Sequence, residues 1–385
     1  VIPRSTAPGP VRAPAHRRGR RWLRWLALGL AGLLLTLTGL GWYLYERLSA
    51  NITTDTRTAE ELAEYEHQRP SALVAGAQNI LIIGSDSRTG PENSKYGQDS
   101  GTQRSDTTIL LHLSADRQRA TAVSLPRDLM AHIPSCRRPD GSHTNEHFAQ
   151  FNWAFEFAGP ACTIRTLENI THIRINHHIV VDFNSFKRLV DAVDGVPVCL
   201  RKPINDKEAH LTLPAGRQVL HGEQALGYVR ARYGIGDGSD TERMGRQQGF
   251  LGSLFQELSS NGVLLNPARL YPVLDAATKS LTTDAGLDSL KKMYDLVRTV
   301  RHIPTERVQF LTVPRRPYPY NPDRDELVQP DADQLFELLR RDKPVPVTQQ
   351  IRPADNKPPR DGEGDPSPSR PPTYEGTTAA HGICD

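Results

Sequence analysis

An α/β domain is the fold class this chain predicts: a central, mainly antiparallel or mixed sheet flanked by helices and preceded by one transmembrane helix. Three observations carry it. Short apolar runs ended by turn residues stand at NILIIG (Asn79–Gly84), TTILLHL (Thr107–Leu113) and ATAVSL (Ala120–Leu125), the pattern of buried strands. Helical stretches follow at Ser185–Val193, Met244–Leu258, Leu287–Val300 and Ala332–Arg340, among further strands at Ile179–Phe183, Val196–Leu200 and Val308–Val313. Hairpins first and helices interleaved later describe a sheet covered by helices. The third observation is an uncharged stretch from Trp25 to Tyr45.

Those 21 residues span about 30 Å as a helix, the thickness of a bilayer core. Trp22, Trp25, Trp42, Tyr43 and Tyr45 stand at its ends, where an aromatic belt belongs. Arg12, Arg17, Arg18, Arg20, Arg21 and Arg24 precede it, which predicts a cytoplasmic N-terminus and a domain outside the cell membrane. The run is long for a signal peptide and no A-x-A site follows it, so an uncleaved single-pass anchor in the lipid bilayer is expected. The expected organisation is a basic disordered tail (1–21), the membrane helix (22–45), an extracellular stalk (46–71), a catalytic domain (72–342) and a Pro/Asp-rich disordered tail carrying Cys384 (343–385). The net charge of +3 is too mild and too local to argue for a nucleic-acid partner.

Four cysteines, Cys136, Cys162, Cys199 and Cys384, favour two disulfides in an exported domain, with three connectivities open. Cys136–Cys162 is preferred because the pair brackets one loop-rich stretch; Cys199–Cys384 would then staple the tail to the body. His143 and His147 lack the surrounding pattern of a zinc site.

Charged residues gather in three blocks: GSDSR (Gly84–Arg88) with QRSDT (Gln103–Thr107), PRD (Pro126–Asp128), and YVRAR with DTERMGRQQ (Tyr228–Arg232, Asp240–Gln248). If the first three strands run up, down and up, Asp86, Arg104, Asp106 and Arg127 meet at one end of the sheet. Two carboxylates there suit a hard cation such as magnesium, whose remaining sites go to phosphate oxygens and water. The arginines suit the phosphates. An extended YVRAR would point Arg230 and Arg232 the same way. A helix starting near Asp240 would place Asp240, Arg243 and Gln247 on one face, with its N-terminus favouring anions. Each block alone reads more simply as a surface salt bridge or a solvated face. Arg88 either braces its loop or contacts ligand, and Asn152, Trp153 and Phe155 read as core or wall. No Walker lysine loop or nucleophile elbow is present.

Taken together, NILIIGSDSR, QRSDTTILLHL, AVSLPRDL, FNWAFEFAGP, HHIVVDFNSFKRLVDAVDGVPV, LHGEQALGYVRAR and SDTERMGRQQGFL resemble the LytR-CpsA-Psr family of bacterial cell-wall proteins, actinobacterial members in particular. The resemblance covers about Asn79 to Phe255. It implies a sheet with helices around a long apolar cavity for a lipid tail. It implies transfer of a glycopolymer from a polyprenyl-pyrophosphate carrier to peptidoglycan, as a magnesium-dependent phosphotransferase (or manganese in its place). By the same resemblance Asp86 and Asp106 bind the metal, and Arg104, Arg127, Arg230 and Arg232 grip pyrophosphate. The D-x-x-R-x-x-R-Q motif falls on Asp240, Arg243, Arg246 and Gln247; Asp240 or Asp106 could act as base, if one is needed. The tail TYEGTTAAHGICD is similar to the ends of such members, which is part of the reason for pairing Cys199 with Cys384. Two departures, Gln150 where a lysine is frequent and Ala158-Gly159 where glycines pair, fall on the acceptor side. Two rival readings use the same residues: a polyprenyl-pyrophosphate phosphatase, with water as nucleophile, and a non-catalytic envelope regulator.

Overall fold

The computed structural model describes residues 18–87, 104–233, 240–260, 267–349 and 372–381. It divides into two units, Val1–Ala50 and Asn51–Asp385. The first contains one helix, α1 (Arg18–Ser49). Its Trp22–Ser49 stretch is long and apolar enough to cross a membrane. Leucines and tryptophans stand on all its sides, as lipid solvation requires, rather than along one core-facing stripe.

The second unit opens with β1 (Thr53–Thr54) and α2 (Thr56–Glu64). Asp55 caps α2 by accepting from the Thr58 N–H at 3.1 Å, and its other oxygen lies 3.4 Å from His178 Nε2. Leu62 enters the main core. The expected stalk is therefore corrected: from Thr53 onward this segment is part of the body. A two-residue strand and a nine-residue helix leave little apolar period to read.

Burial opposes the charge on Asp55, but the nearby His178 imidazole and the bonds from Thr58 outweigh it and hold the carboxyl well below the usual carboxylate range. Asp284, beside His177, and Asp206 are lowered against burial in the same way. A carboxyl lowered by folding stabilises the fold fully above its unfolded pKa of about 4, and that contribution is lost as pH falls through the folded value. Asp55→Asn is thus expected to reduce stability at neutral pH and to flatten the acid limb. Denaturant unfolding across the acid range measures both; an unchanged acid limb would contradict it.

The three apolar runs form the expected antiparallel meander, β2 (Gln78–Ser85), β3 (Ser105–Leu113) and β4 (Ala120–Leu125). A hairpin outside the main sheet follows, β5 (Met130–Ile133) with β6 (His147–Gln150). Then come α3 (Asn152–Thr171), β7 (His177–Val181) and α4 (Phe183–Ala192). β8 (Val196–Leu200) pairs with β11 (Gly216–Leu220), and β9 (Ile204–Asp206) with β10 (Leu211–Leu213), as two small antiparallel ladders. Helices α5 (Gly222–Arg230), α6 (Asp240–Ser260) and α7 (Pro267–Ser280) lead to β12 (Leu281–Thr283). Next are α8 (Leu290–Arg301), β13 (Val308–Thr312) and a second outer hairpin, β14 (Arg315–Tyr318) with β15 (Asn321–Leu327). α9 (Asp331–Arg340), β16 (Val347–Gln349) and β17 (Tyr374–Thr378) follow.

The main sheet is mixed and nine-stranded, in the order β1-β12-β7-β2-β3-β4-β13-β17-β16. Successive side chains of β2 enter opposite cores. Leu81 and Ile83 pack with Ile164 and Leu167 of α3 and Leu335 and Leu339 of α9. Ile80 packs on the other face, with Phe255 of α6 and Val300 of α8. A strand buried on both faces must be apolar throughout, which is why NILIIG is legible. α3 escapes periodicity because it is buried nearly all round. It is also broken: Gly159 has φ 69° and ψ −152°, immediately before Pro160. Only glycine accepts that backbone readily, while the neighbouring Ala158 keeps a negative φ.

β16 and β17 come from the segment 343–385, expected as a disordered tail outside the domain. That expectation is corrected. Tyr374 is buried, and β17 pairs antiparallel with β13. A Cβ on Gly376 would lie 2.5 Å from the Phe310 carbonyl oxygen, so this approach needs glycine. Short strands of mixed polarity look like linker in sequence. The disulfide Cys136–Cys162 forms as expected, joining the loop after β5 to α3 with Cα atoms 5.6 Å apart. Cys384, and with it the second expected pair, lies outside the described residues.

Candidate active site

The site grows from a flaw in the meander. β2 and β3 pair regularly up to Gly84↔Thr107, and the next pair is Ser85↔Ser105. Asp106 is the extra residue of this bulge. Bulges re-aim side chains at sheet ends. Just beyond, the Asp86 N–H donates to the Arg104 carbonyl at 3.0 Å and the Arg104 N–H donates to Asp86 Oδ1 at 2.6 Å. The two aspartates thus sit on adjoining strand ends, as the topology predicts. Arg88 lies outside the described residues.

β4 ends at the PRD block and delivers Arg127 to the same edge. Its Nη1 donates to Asp106 Oδ1 at 2.8 Å and its Nε to Asp128 Oδ2 at 3.1 Å. Burial disfavours the guanidinium charge, but the two carboxylates outweigh it and raise the pKa further above its ordinary value. Asp128 also receives Gln150 and Arg324. Arg104 behaves differently. Its Nε bonds Glu156 of α3 at 2.7 Å, and it is absent from the lining of the cavity described below.

YVRAR is not extended. Arg230 is the last residue of α5, and the chain breaks at Ala231 (φ −54°, ψ 137°). The expected strand-like alternation of Arg230 and Arg232 is therefore corrected; the two arginines reach one cavity from a helix end and from the residue after the break. The sequence of this stretch is equally compatible with either form, because its apolar residues are too few to set a period. Last-turn carbonyls lack partners within a helix. Here α6 supplies them: Gln247 Nε2 donates to the Val229 carbonyl at 3.1 Å and Arg246 to that of Ala231. Arg246, which the D-x-x-R-x-x-R-Q motif offers as a substrate-binding residue, is buried and absent from the cavity lining. It acts as a positioning residue. The side chain of Asp240 lies outside the described ones, although α6 begins there.

Asp206 is the residue sequence reading missed. It is buried, and its Oδ2 accepts from the Arg232 N–H at 2.7 Å and the Tyr233 N–H at 2.8 Å, while Oδ1 accepts from Ala209 at 3.0 Å. KPINDKEAH gives no hint of this beyond a turn. Asp206→Ala is expected to cost about 1–3 kcal/mol through orphaned N–H groups and to expose the chain near Tyr233 to proteases. Asp206→Asn, keeping one acceptor, loses less. Wild-type stability and protection in the alanine variant would refute this.

Behind the charged edge is a cavity of about 480 Å³. Asp106, Arg127, Arg230, Arg232, Arg243 and Gln247 line it together with Val181, Phe183, Phe186, Leu226, Phe250 and Leu254. Asp106 and Arg127 are about a third exposed, whereas Phe250 is fully buried, so these two charged groups stand nearer solvent than the aromatic floor; Arg243 and Asp206, also in the lining, are buried. Arg230 lies 4.5 Å over the Phe183 ring, a cation–π contact. Asp86, like Arg104, is absent from the lining; Asp86 and Asp106, oxygen donors without histidine or thiolate, would suit a hard divalent cation that completes its shell with phosphate oxygens.

Four arginines and four acidic residues, Asp106, Asp182, Asp206 and Glu208, thus share one partly apolar cavity with its ring of aromatic side chains, at the edge of a helix-covered mixed sheet. The pattern of the LytR_cpsA_psr family matches residues 47–343; the chain belongs to this family. It is 31% identical over 266 residues to the cell wall biosynthesis protein LcpA of Corynebacterium glutamicum, covering 62% of this chain and 50% of LcpA. The chain thus spans about half the length of that relative. It is 29% identical over 264 residues to TagU of Enterococcus faecalis, a polyisoprenyl-teichoic acid–peptidoglycan teichoic acid transferase, covering 68% of this chain and 78% of TagU. Among solved structures, a LytR-Csp2A-Psr enzyme from Actinomyces oris superposes with a TM-score of 0.55 at 19% identity, over 70% of this chain and 93% of the other. The fold is therefore that of these enzymes.

Proposed function

We propose that the protein transfers a glycopolymer from a polyprenyl-pyrophosphate carrier to peptidoglycan, outside the membrane that α1 spans. The observation that carries this is the joining of an apolar cavity to Arg127, Arg230, Arg232 and Arg243 in one lining. A lipid pyrophosphate has this polarity: a hydrocarbon tail for the floor and a multiply charged head for the arginines. The arginines hold the pyrophosphate and offset charge developing on it. Asp86 and Asp106 would hold magnesium, which when bound neutralises phosphate charge. An acceptor sugar hydroxyl, the muramic acid C6 hydroxyl by family resemblance, attacks the sugar-linked phosphorus and gives up its proton to solvent or to the departing phosphate; the bond from that phosphorus to the bridging oxygen breaks, and polyprenyl phosphate leaves. The arginines that precede the uncharged Trp25–Tyr45 stretch support a cytoplasmic N-terminus.

Purified full-length protein, given a polyprenyl-pyrophosphate glycopolymer and peptidoglycan, should form phosphodiester-linked polymer, and chelation of divalent ions should abolish it. Cleavage of the donor by water without transfer, even with acceptor present, would favour the phosphatase. No turnover, with normal donor binding, would favour the regulator.

A further inference from the structure

We infer that an exposed row of aromatic rings beside Arg127 is the platform on which the acceptor's glycan strand lies; this rests on the transferase reading and adds its acceptor subsite. His132 of β5 and Phe148 of β6 are cross-strand partners with ring centroids 4.8 Å apart. Phe148 lies 6.1 Å from Tyr318, and Tyr318 lies 5.4 Å from Tyr320. The row therefore crosses from one outer hairpin to the other.

Tyr318, which joins the two hairpins, is half-buried, but the exposure of Phe148 and Tyr320 on either side of it is unusual for this body. Among the described residues after α1, the large aromatic side chains exposed to solvent are Phe148 (48%), Tyr233 (63%) and Tyr320 (87%). Tyr233 lines the cavity, and the other two, Phe148 and Tyr320, both belong to the row. The exposed large aliphatic residues, Leu73, Val219 and Val297, are not in the row. Exposed apolar surface gathered at one place marks an interaction site.

Both hairpins are tied to the PRD turn. The Asp325 N–H donates to the Asp128 carbonyl at 3.1 Å, and Arg324 pairs with Asp128 at 3.4 Å. Gln150, at the end of β6, also bonds Asp128. Arg127 thus stands between the cavity and the row. An in-line displacement needs attacking and leaving oxygens on opposite sides of the phosphorus. A leaving lipid phosphate in the cavity places the acceptor on the hairpin side.

The chemistry of the row selects a carbohydrate. Pyranose rings offer C–H faces that lie on aromatic rings and a rim of hydroxyls that need polar partners. Aromatics with polar tips serve both needs: Tyr318 and Tyr320 carry hydroxyls and His132 an imidazole. Tyrosine also serves protein interfaces and bilayer surfaces; what favours a glycan is the place of the row on the acceptor side of Arg127.

The test uses full-length protein in detergent micelles and soluble, uncrosslinked peptidoglycan glycan strands. Combined Phe148→Ala and Tyr320→Ala should weaken strand binding by calorimetry about 10-fold and raise the acceptor KM by a similar factor, with no change in donor KM. Phe148→Tyr with wild-type Tyr320 should retain binding. Circular dichroism and melting establish that the variants fold. Wild-type strand affinity in the double variant overturns the platform. So does a wild-type dimer, seen by light scattering, that the double substitution dissociates. Calorimetry needs no turnover, so failed transfer in the wild-type protein would count against the transferase reading while strand binding still decides the platform.

Discussion

Arg127→Ala is expected to lower glycopolymer transfer by about 10²–10³-fold, the loss seen when one preorganised donor to a developing negative charge is removed. Arg127 bridges Asp106, on the bulge, and Asp128, beneath the outer hairpins. It therefore arrives aimed, with little reorganisation left for the reaction. The fold should survive, because Asp128 keeps Gln150 and Arg324 and Asp106 is a third exposed. Arg127→Lys should recover only part of the loss, since one ammonium lacks the planar fork that meets two carboxylates and a phosphate. Initial rates with lipid-linked donor, beside a melting curve, read both effects. A folded alanine variant working at the wild-type rate would remove Arg127 from the reaction.

The largest stability effect is expected at Phe250. Its ring is fully buried, 5.6 Å from Phe186 and 6.3 Å from Tyr228 by centroid. It also lines the cavity floor. Truncation to alanine should cost about 3–5 kcal/mol, because lost burial is joined by the void left behind. Phe250→Leu, nearer in volume, should cost less and change the lipid length preferred. Denaturant unfolding reads the first effect and competition among shorter and longer polyprenyl chains the second. A loss below about 1 kcal/mol would mean that α6 does not pack as described.

Much of the charged edge was legible from order alone. Three buried strands in a meander must return to one end, so Asp86, Asp106 and Arg127 could be brought together without coordinates. What misled was local ambiguity. YVRAR has too little period to distinguish helix from strand, and its arginines converge through Gln247, Arg246 and Asp206, bonded to backbone groups 15 to 27 residues away. The resemblance gives Arg104 the same role as Arg127, yet Arg104 bonds Glu156, 52 positions on.

By itself the sequence determined the long apolar helix, the meander, the Cys136–Cys162 bridge and the charged residues of the sheet edge, because continuous apolarity, cysteine bracketing and charged blocks are properties of neighbours along the chain. Tertiary structure alone decided that 46–71 and part of 343–385 belong to the body, that Asp206 holds the Arg232 turn, and that aromatic rings from two hairpins line up beside Arg127. Those features depend on backbone hydrogen bonds and ring contacts between distant segments, and such partners write no period into either one.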